Sequence, residues 1–416
     1  HKFGGKPVSV MVKGPNRLHM MNMMRHLLIP NRRVEEILTQ IIELNWLAEG
    51  QRIFSSDDGS SRLIPLSISA DSNLPKPFSD YEIIVCEGKL DEKIDTDWWN
   101  HLSKLVGENI VSKFQESWPS SHEFFGDMMI VRIDDNVSSY TSQIAEAKLL
   151  SHPSIRLILS DGGVMGEFRI RELEIIGARK ELEIFTEKFP IDIVYTKVLV
   201  KESGKLISCD PKVAYYSTKL QTERLETLTL AKELSDELNR PLAICDPFCG
   251  VGPALSTLIA EGNLVGEILA SDLNSDAVEL LFENLKRWDK REYPTKSEIL
   301  QQYYDDRTVG LADATKLSLN PQYSGKWDLV LVNLPHRTID FLPKLIPLLN
   351  RKNTSLIRGR VIVAESEIPL ANEKINQLLP PIAQGKPQPE LKIKRDYSSA
   401  LRLCSFEAWI AKEDYS

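Results

Sequence analysis

Two acids, a glycine turn and an asparagine carry the chemistry that this sequence offers. Asp246 ends the short apolar run Leu242-Ala-Ile-Cys245 and is followed by Pro-Phe-Cys-Gly-Val-Gly-Pro253. Gly250 and Gly252 allow a tight turn with no side chain in the way. A second acid, Asp272, follows the apolar run Ile268 to Ala270. An acid roughly 20 residues beyond such a turn reaches ribose hydroxyls. A dinucleotide needs G-x-G-x-x-G so that its pyrophosphate can sit on the helix N-terminus. Here the third glycine is missing, and Asp246 lies where a pyrophosphate is repelled. The same carboxylate suits the ammonium group of S-adenosylmethionine (SAM). Cofactor contacts are expected from Asp246, Phe248, Gly250, Gly252, Asp272, Leu273 and Asn274. Asp313 and Ala314, at a place where an adenine amino group is commonly met, and Asn333 complete the expected set. Asn333-Leu-Pro335 ends a later apolar run; its amide offers both a donor and an acceptor to a planar nitrogen heterocycle, and its proline fixes the turn. His336 stands where an aromatic would stack on adenine or cytosine, which disfavours methylation of an exocyclic amine. It is read as a polar loop residue.

These residues need a frame to hold them. Leu242 to Cys245 reads as a buried parallel strand, Leu255, Leu258 and Ile259 open a helix, and Ile268 to Ala270 is the next strand. Ala277, Val278, Leu281, Leu285 and Trp288 mark a helix, and a charged insertion covers about 289 to 307. Trp327 to His336 supplies the fourth strand, Arg360 to Ala364 the fifth, and Phe406 to Lys412 a terminal antiparallel strand. The pattern predicts an α/β, doubly wound (Rossmann-like) SAM-dependent methyltransferase domain over 201–416. Its first helix carries Leu225, Leu228, Ala231, Leu234 and Leu238 on one face, with capping-box spacing at Thr218 and Gln221. Glu223 falls in that helix's first turn, near the C-terminal edge of the sheet.

Two small α+β domains are expected ahead of it, over 1–75 and 78–200. The first holds a helix from Val34 to Leu47, a polar loop from Ser55 to Ser61 and a strand from Arg62 to Leu66; 71–77 has the composition of a linker. The second holds strands at Tyr81 to Val85 and Met128 to Ile133, a helix from Thr141 to Leu150, and a short strand ending in a turn at Ser160-Asp-Gly-Gly163. Gly166 to Gly177 then alternates apolar and polar residues, which puts Arg169 and Arg171 on one face.

A chain of 416 residues, 42% apolar and 26% charged, has the composition of a folded globular protein. No apolar run approaches the ~20 residues of a membrane span, and no leader segment is evident, so a cytoplasmic protein is expected. The five scattered cysteines read as reduced thiols, and no metal site is expected. A net charge of −8 argues against a uniformly basic nucleic-acid binder. Three acid-free basic runs are nevertheless candidates for local phosphate contact: seven Lys/Arg between His1 and Val34, Arg351 to Arg360, and Lys392 with Lys394 and Arg395.

Taken together, Gly166-Glu-Phe-Arg-Ile-Arg-Glu-Leu-Glu174, Tyr215-Tyr-Ser217 with Glu223-Arg224, Asp246 to Pro253, Asp272-Leu-Asn274 and Asn333-Leu-Pro335 resemble one family. It is that of the archaeal and eukaryotic class I tRNA (guanine-37-N1) methyltransferases. Order and spacing match over roughly 160 to 345; Ser275, Cys249, Ala254 and Thr218 depart from the family's usual residues. The resemblance implies that Glu223 is the general base that removes the N1 proton and that Arg169 stabilises charge on O6. Asn333 and Pro335 would hold the base edge, with Tyr215 and Arg171 on the substrate side. It further implies a tRNA partner recognised at its anticodon loop, and a monomer is expected. The nearest alternative is the aminocarboxypropyl transferase of wybutosine synthesis. That family tends to carry Gly-Ile-Gly-Tyr and a glutamate where this chain has Gly-Val-Gly-Pro and Asp272. A bifunctional enzyme that also methylates a tricyclic intermediate is a further alternative.

Overall fold

The computed structural model describes residues 23–48, 51–89, 96–166, 170–180 and 183–413. The chain divides into two compact units, His1–Asp95 and Thr96–Ser416. In the first, β1 (Met23–Pro30), α1 (Val34–Glu43), β2 (Phe54–Ser55), β3 (Ser61–Pro65) and β4 (Glu82–Glu87) build an antiparallel sheet in the order β2-β3-β1-β4. Ile37 and Ile41, one helical turn apart, share a buried core with Leu27, Ile29 and Ile64. The strand expected at Tyr81 to Val85 therefore belongs to the first unit, because it pairs with β1 across the proline-rich 71–77 segment.

The second unit opens with α2 (Trp98–Val106), α3 (Glu108–Lys113), β5 (Glu123–Phe125), β6 (Met128–Val131), α4 (Thr141–Ser151), β7 (Leu157–Met165), β8 (Ile170–Lys180) and β9 (Glu183–Phe185). Their sheet runs β5-β6-β7-β8-β9, with β6 and β7 parallel and α4 as the crossover. Ser160 to Gly163 is not the expected turn. β7 continues through it, with a register shift between Asp161 and Val164, so two glycines mark a bulge rather than a reversal. A hairpin of β10 (Val198–Glu202) and β11 (Lys205–Cys209) turns at Ser203 and Gly204, both left-handed at φ 48° and 77°.

Then come α5 (Gln221–Leu238), β12 (Leu242–Asp246), α6 (Pro253–Ile259), β13 (Val265–Asp272), α7 (Ser275–Asp289), β14 (Gln301–Tyr304), β15 (Arg307–Leu311), β16 (Leu329–Val332), α8 (Thr338–Leu345), β17 (Ser355–Ala364), α9 (Ile368–Leu378), β18 (Lys392–Asp396) and β19 (Leu401–Ile410). They form an eight-stranded sheet in the order β14-β15-β13-β12-β16-β17-β19-β18. The five central strands are parallel. Strand order reverses between β12 and β16, where such a sheet opens a crevice at its carboxyl edge. The charged insertion contributes β14, an antiparallel edge strand on β15. The expected capping box is absent: a 3₁₀ turn at Thr218–Leu220 precedes α5, and Thr218 directs its hydroxyl to Glu123 instead. All five cysteines are free thiols, and no described helix is long and apolar enough to cross a membrane.

Candidate active site

A cavity of about 790 Å³ lies at the carboxyl ends of the parallel strands. Of the residues expected to hold cofactor or base, Tyr215, Phe248, Gly250, Asp272, Leu273, Asn274, Asp313, Ala314, Asn333 and Pro335 all line it. The glycine turn sits on Asp272. The Gly250 N–H donates to Oδ2 at 2.8 Å and the Asn274 N–H to Oδ1 at 2.9 Å. Gly252 has φ 86°, and a Cβ there would stand 2.7 Å from Leu281, so only glycine fits. Asp246 is 2% exposed, and among the described residues its Oδ1 has no hydrogen-bond partner. Burial pushes its carboxyl up to about 7; the Phe248 N–H opposes this, the Asp272 charge adds to it and Arg360 again opposes it. A buried carboxylate oxygen without a donor is costly unless a cation completes it, and the amino-acid ammonium of SAM fits that requirement. Asn274 is mostly structural. Its Oδ1 caps α7 by accepting from the Asp276 and Ala277 N–H groups, and its Nδ2 donates to Val213 O at 2.7 Å. Asp313 accepts from the Thr315 hydroxyl and N–H, which hold it below the usual carboxylate range.

The other side of the cavity is built by β16 and β17. Val332 is paired with Gly359, so Asn333, where β16 ends, stands beside Arg360, which continues in β17 paired with Ser405. Arg360 Nη1 donates to Asn333 Oδ1 at 2.8 Å. The Ile362 N–H donates to Pro335 O at 2.9 Å, and the buried Thr338 hydroxyl donates to Arg360 O at 2.6 Å. The Asn-Leu-Pro turn is thus bound to β17 at two points, and Thr338 at the start of α8 adds a third tie. Arg360 is 7% exposed, and burial pulls its guanidinium down to about 10.

Glu223 lies behind Arg360 rather than on the cavity wall. It is 5% exposed, with Oε2 at 3.3 Å from Arg358 and 3.8 Å from Arg360, and Oε1 at 3.6 Å from Lys394. Arg358 also bonds Glu226 at 2.8 Å and Glu407 at 2.9 Å, and Lys394 bonds Glu226 at 2.6 Å. Two of the basic runs read as phosphate-facing therefore turn inward in part: Arg358, Arg360 and Lys394 neutralise acids of α5 and β19. Alternation along β17 puts Arg358 and Arg360 on one face. Two arginines within a buried strand were the available signal, since such cations require partners.

Four motif residues have other duties. Arg224 is tied to Glu202 and to Ser217 O, and Tyr216 donates to the same Glu202 at 2.6 Å. Arg171 pairs with Glu123 at 2.8 Å and is not among the described residues that line the cavity; Ser217 donates to the same Glu123. Arg169 lies outside the described residues. Tyr397 and His336 both line the cavity and meet edge-on, ring centroids 5.5 Å apart.

A doubly wound sheet, a glycine turn latched by Asp272 and a cavity at the carboxyl ends of the strands have the layout of a class I SAM-dependent methyltransferase domain. Residues 198–365 match the TRM5/TYW2 methyltransferase domain and residues 102–178 the TYW2 N-terminal domain. Over these residues the chain is similar to the TRM5/TYW2 methyltransferases. It is 23% identical over 323 residues to the tRNA (guanine(37)-N(1))-methyltransferase Trm5b of Pyrococcus abyssi, covering 77% of this chain and 80% of that one. It is 30% identical over 241 residues to the tRNA (guanine(37)-N(1))-methyltransferase of Paramecium tetraurelia, covering 58% of this chain and 49% of the relative. Among solved structures, the fold matches Trm5b of Pyrococcus abyssi with a TM-score of 0.55 at 20% identity, over 94% of this chain and 100% of that one. It also matches TYW2 of Pyrococcus horikoshii in complex with MeSAdo, with a TM-score of 0.50 at 15% identity, over 76% and 99% of the two chains.

Proposed function

We propose that the protein transfers the methyl group of SAM to N1 of guanine at position 37 of tRNA, in the anticodon loop. The observation that carries this reading is a cavity that joins the SAM-binding turn to Tyr215, Asn333 and Pro335, with Glu223 one residue behind it. The names of the curated relatives point the same way. Guanine N1 carries a proton at neutral pH, so transfer needs a base. In this reading the N1–H bond breaks toward the Glu223 carboxylate, the N1–CH₃ bond forms, and the sulfonium S–CH₃ bond breaks to leave S-adenosylhomocysteine. Glu223 turns away from Arg358 and Lys394 to meet the entering base. Negative charge that moves to O6 is met by a guanidinium, and Arg169 is the proposed donor. Binding both substrates in line supplies the remainder.

The test is incubation of unmodified tRNA carrying guanine or adenine at position 37 with SAM labelled either in the methyl group or in the aminocarboxypropyl chain. Labelled 1-methylguanosine from the guanine substrate alone is the expected product. A second reading, aminocarboxypropyl transfer, is favoured by one observation: residues 102–178 match the TYW2 N-terminal domain. Label from the aminocarboxypropyl chain on a wybutosine precursor, with no methyl transfer, would establish it instead.

A further inference from the structure

We propose that Arg360 is a positioning residue that fixes Asn333 as a hydrogen-bond donor toward the substrate base. The cavity thereby selects bases with a carbonyl oxygen beside the reacting nitrogen over bases with an amine there. This rests on the base-methylation reading above and adds a specificity device to it. An asparagine amide is ambiguous by nature, since either end can face a ligand. Arg360 removes the ambiguity, because a guanidinium has donors and no acceptor. With Nη1 at 2.8 Å from Oδ1, the carbonyl end must face Arg360. Asn333 lines the cavity, and among the described residues none accepts from its N–H₂ group. Arg360 cannot easily turn away. Its main chain is held by the Thr338 hydroxyl and its side chain is buried. A carbonyl entering the cavity meets a donor. An exocyclic amine in that position meets another donor, leaving two polar groups unsatisfied in a closed site.

The test compares tRNA transcripts carrying guanine, inosine or adenine at position 37, with wild-type protein and with Arg360→Met, Arg360→Lys and Asn333→Asp. Inosine keeps both the N1 proton and the carbonyl, so wild type is expected to methylate guanine and inosine and to reject adenine. Arg360→Met frees the amide to turn. Its kcat/KM on guanine is expected to fall about 10- to 100-fold and its guanine-to-adenine ratio to narrow at least ~10-fold. Arg360→Lys restores a donor to Oδ1 and is expected to recover part of the ratio. Asn333→Asp offers only acceptors and is expected to lose both guanine and inosine while still binding SAM. A ratio that Arg360→Met leaves unchanged, with activity on all bases reduced alike, overturns the positioning role and leaves the methylation reading standing. Failure of wild type to methylate either carbonyl base overturns both.

Discussion

Arg224 and Glu202 face each other through paired hydrogen bonds, Nη2 to Oε2 at 2.7 Å, with neither side chain more than 4% exposed. Arg224 is the immediate neighbour of Glu223, yet it points away from the cavity. With Tyr216 and Ser217 it fastens the Tyr-Tyr-Ser loop to the β10–β11 hairpin. Removing one partner strands a buried charge. Glu202→Gln is expected to cost about 3–5 kcal/mol in urea unfolding, and Tyr216→Phe about 1 kcal/mol. Unchanged midpoints for both variants would show that the network carries no stability.

Glu223→Gln tests the proposed base. Single-turnover methyl transfer should slow by about 10²- to 10⁴-fold, while SAM affinity measured by calorimetry stays within about threefold of wild type. Retention of full rate would remove Glu223 from the chemistry.

The contact expected between Asp246 and the ammonium of SAM would make binding depend on pH. Its carboxyl titrates near 7 in the ligand-free protein, because burial opposes its charge. The ammonium of SAM requires the ionised form, so binding below pH 7 must expel a proton and is weakened. SAM affinity is expected to rise between pH 6 and pH 7.5 and then level. Asp246→Asn should bind weakly and lose this dependence. Calorimetry in buffers of different ionisation enthalpy reads the released proton directly, and an absence of proton release at pH 6 would contradict the assignment.

Lys148, on α4, is fully buried; among the described residues its Nζ has no hydrogen-bond partner, and it sits 3.8 Å from the centre of the Trp98 ring. Burial lowers it from 10.5 to about 8. The unfolded chain therefore binds this proton more tightly than the native protein does. The penalty is complete below pH 8 and is relieved as pH rises toward 10.5. Lys148→Met is expected to stabilise the protein at pH 7 by roughly 1–3 kcal/mol, with the advantage shrinking by pH 10. Thermal unfolding at the two pH values checks both the sign and the trend.

The cofactor half of the site is legible in the sequence because it is local. A strand, a glycine turn and an acid one strand later lie within 242–274 and have to be neighbours in space. Asn333-Leu-Pro335 is legible for the same reason. Long-range pairing is not. Arg358, Arg360 and Lys394 stand in stretches without acids, yet their partners Glu223 and Glu226 lie on α5, more than 130 positions earlier. β4 reads as part of the wrong sheet because its partner β1 lies across a proline-rich segment with the look of a boundary. Thr218 and Gln221 have the spacing of a cap, but Glu123, far upstream, offers the Thr218 hydroxyl a partner.

The strand order β16-β17-β19-β18 carries a consequence for how the enzyme is made. β17 delivers Arg358 and Arg360, but Lys394 arrives on β18 and Glu407 on β19, both synthesised after it. A nascent chain that has cleared the ribosome only as far as β17 holds two guanidinium groups on an unpaired sheet edge. The half-built sheet is thus exposed to off-pathway pairing until translation reaches β19. The Glu223 cluster is complete only once β19 has been made, although the glycine turn and Asp272 are synthesised more than a hundred positions earlier.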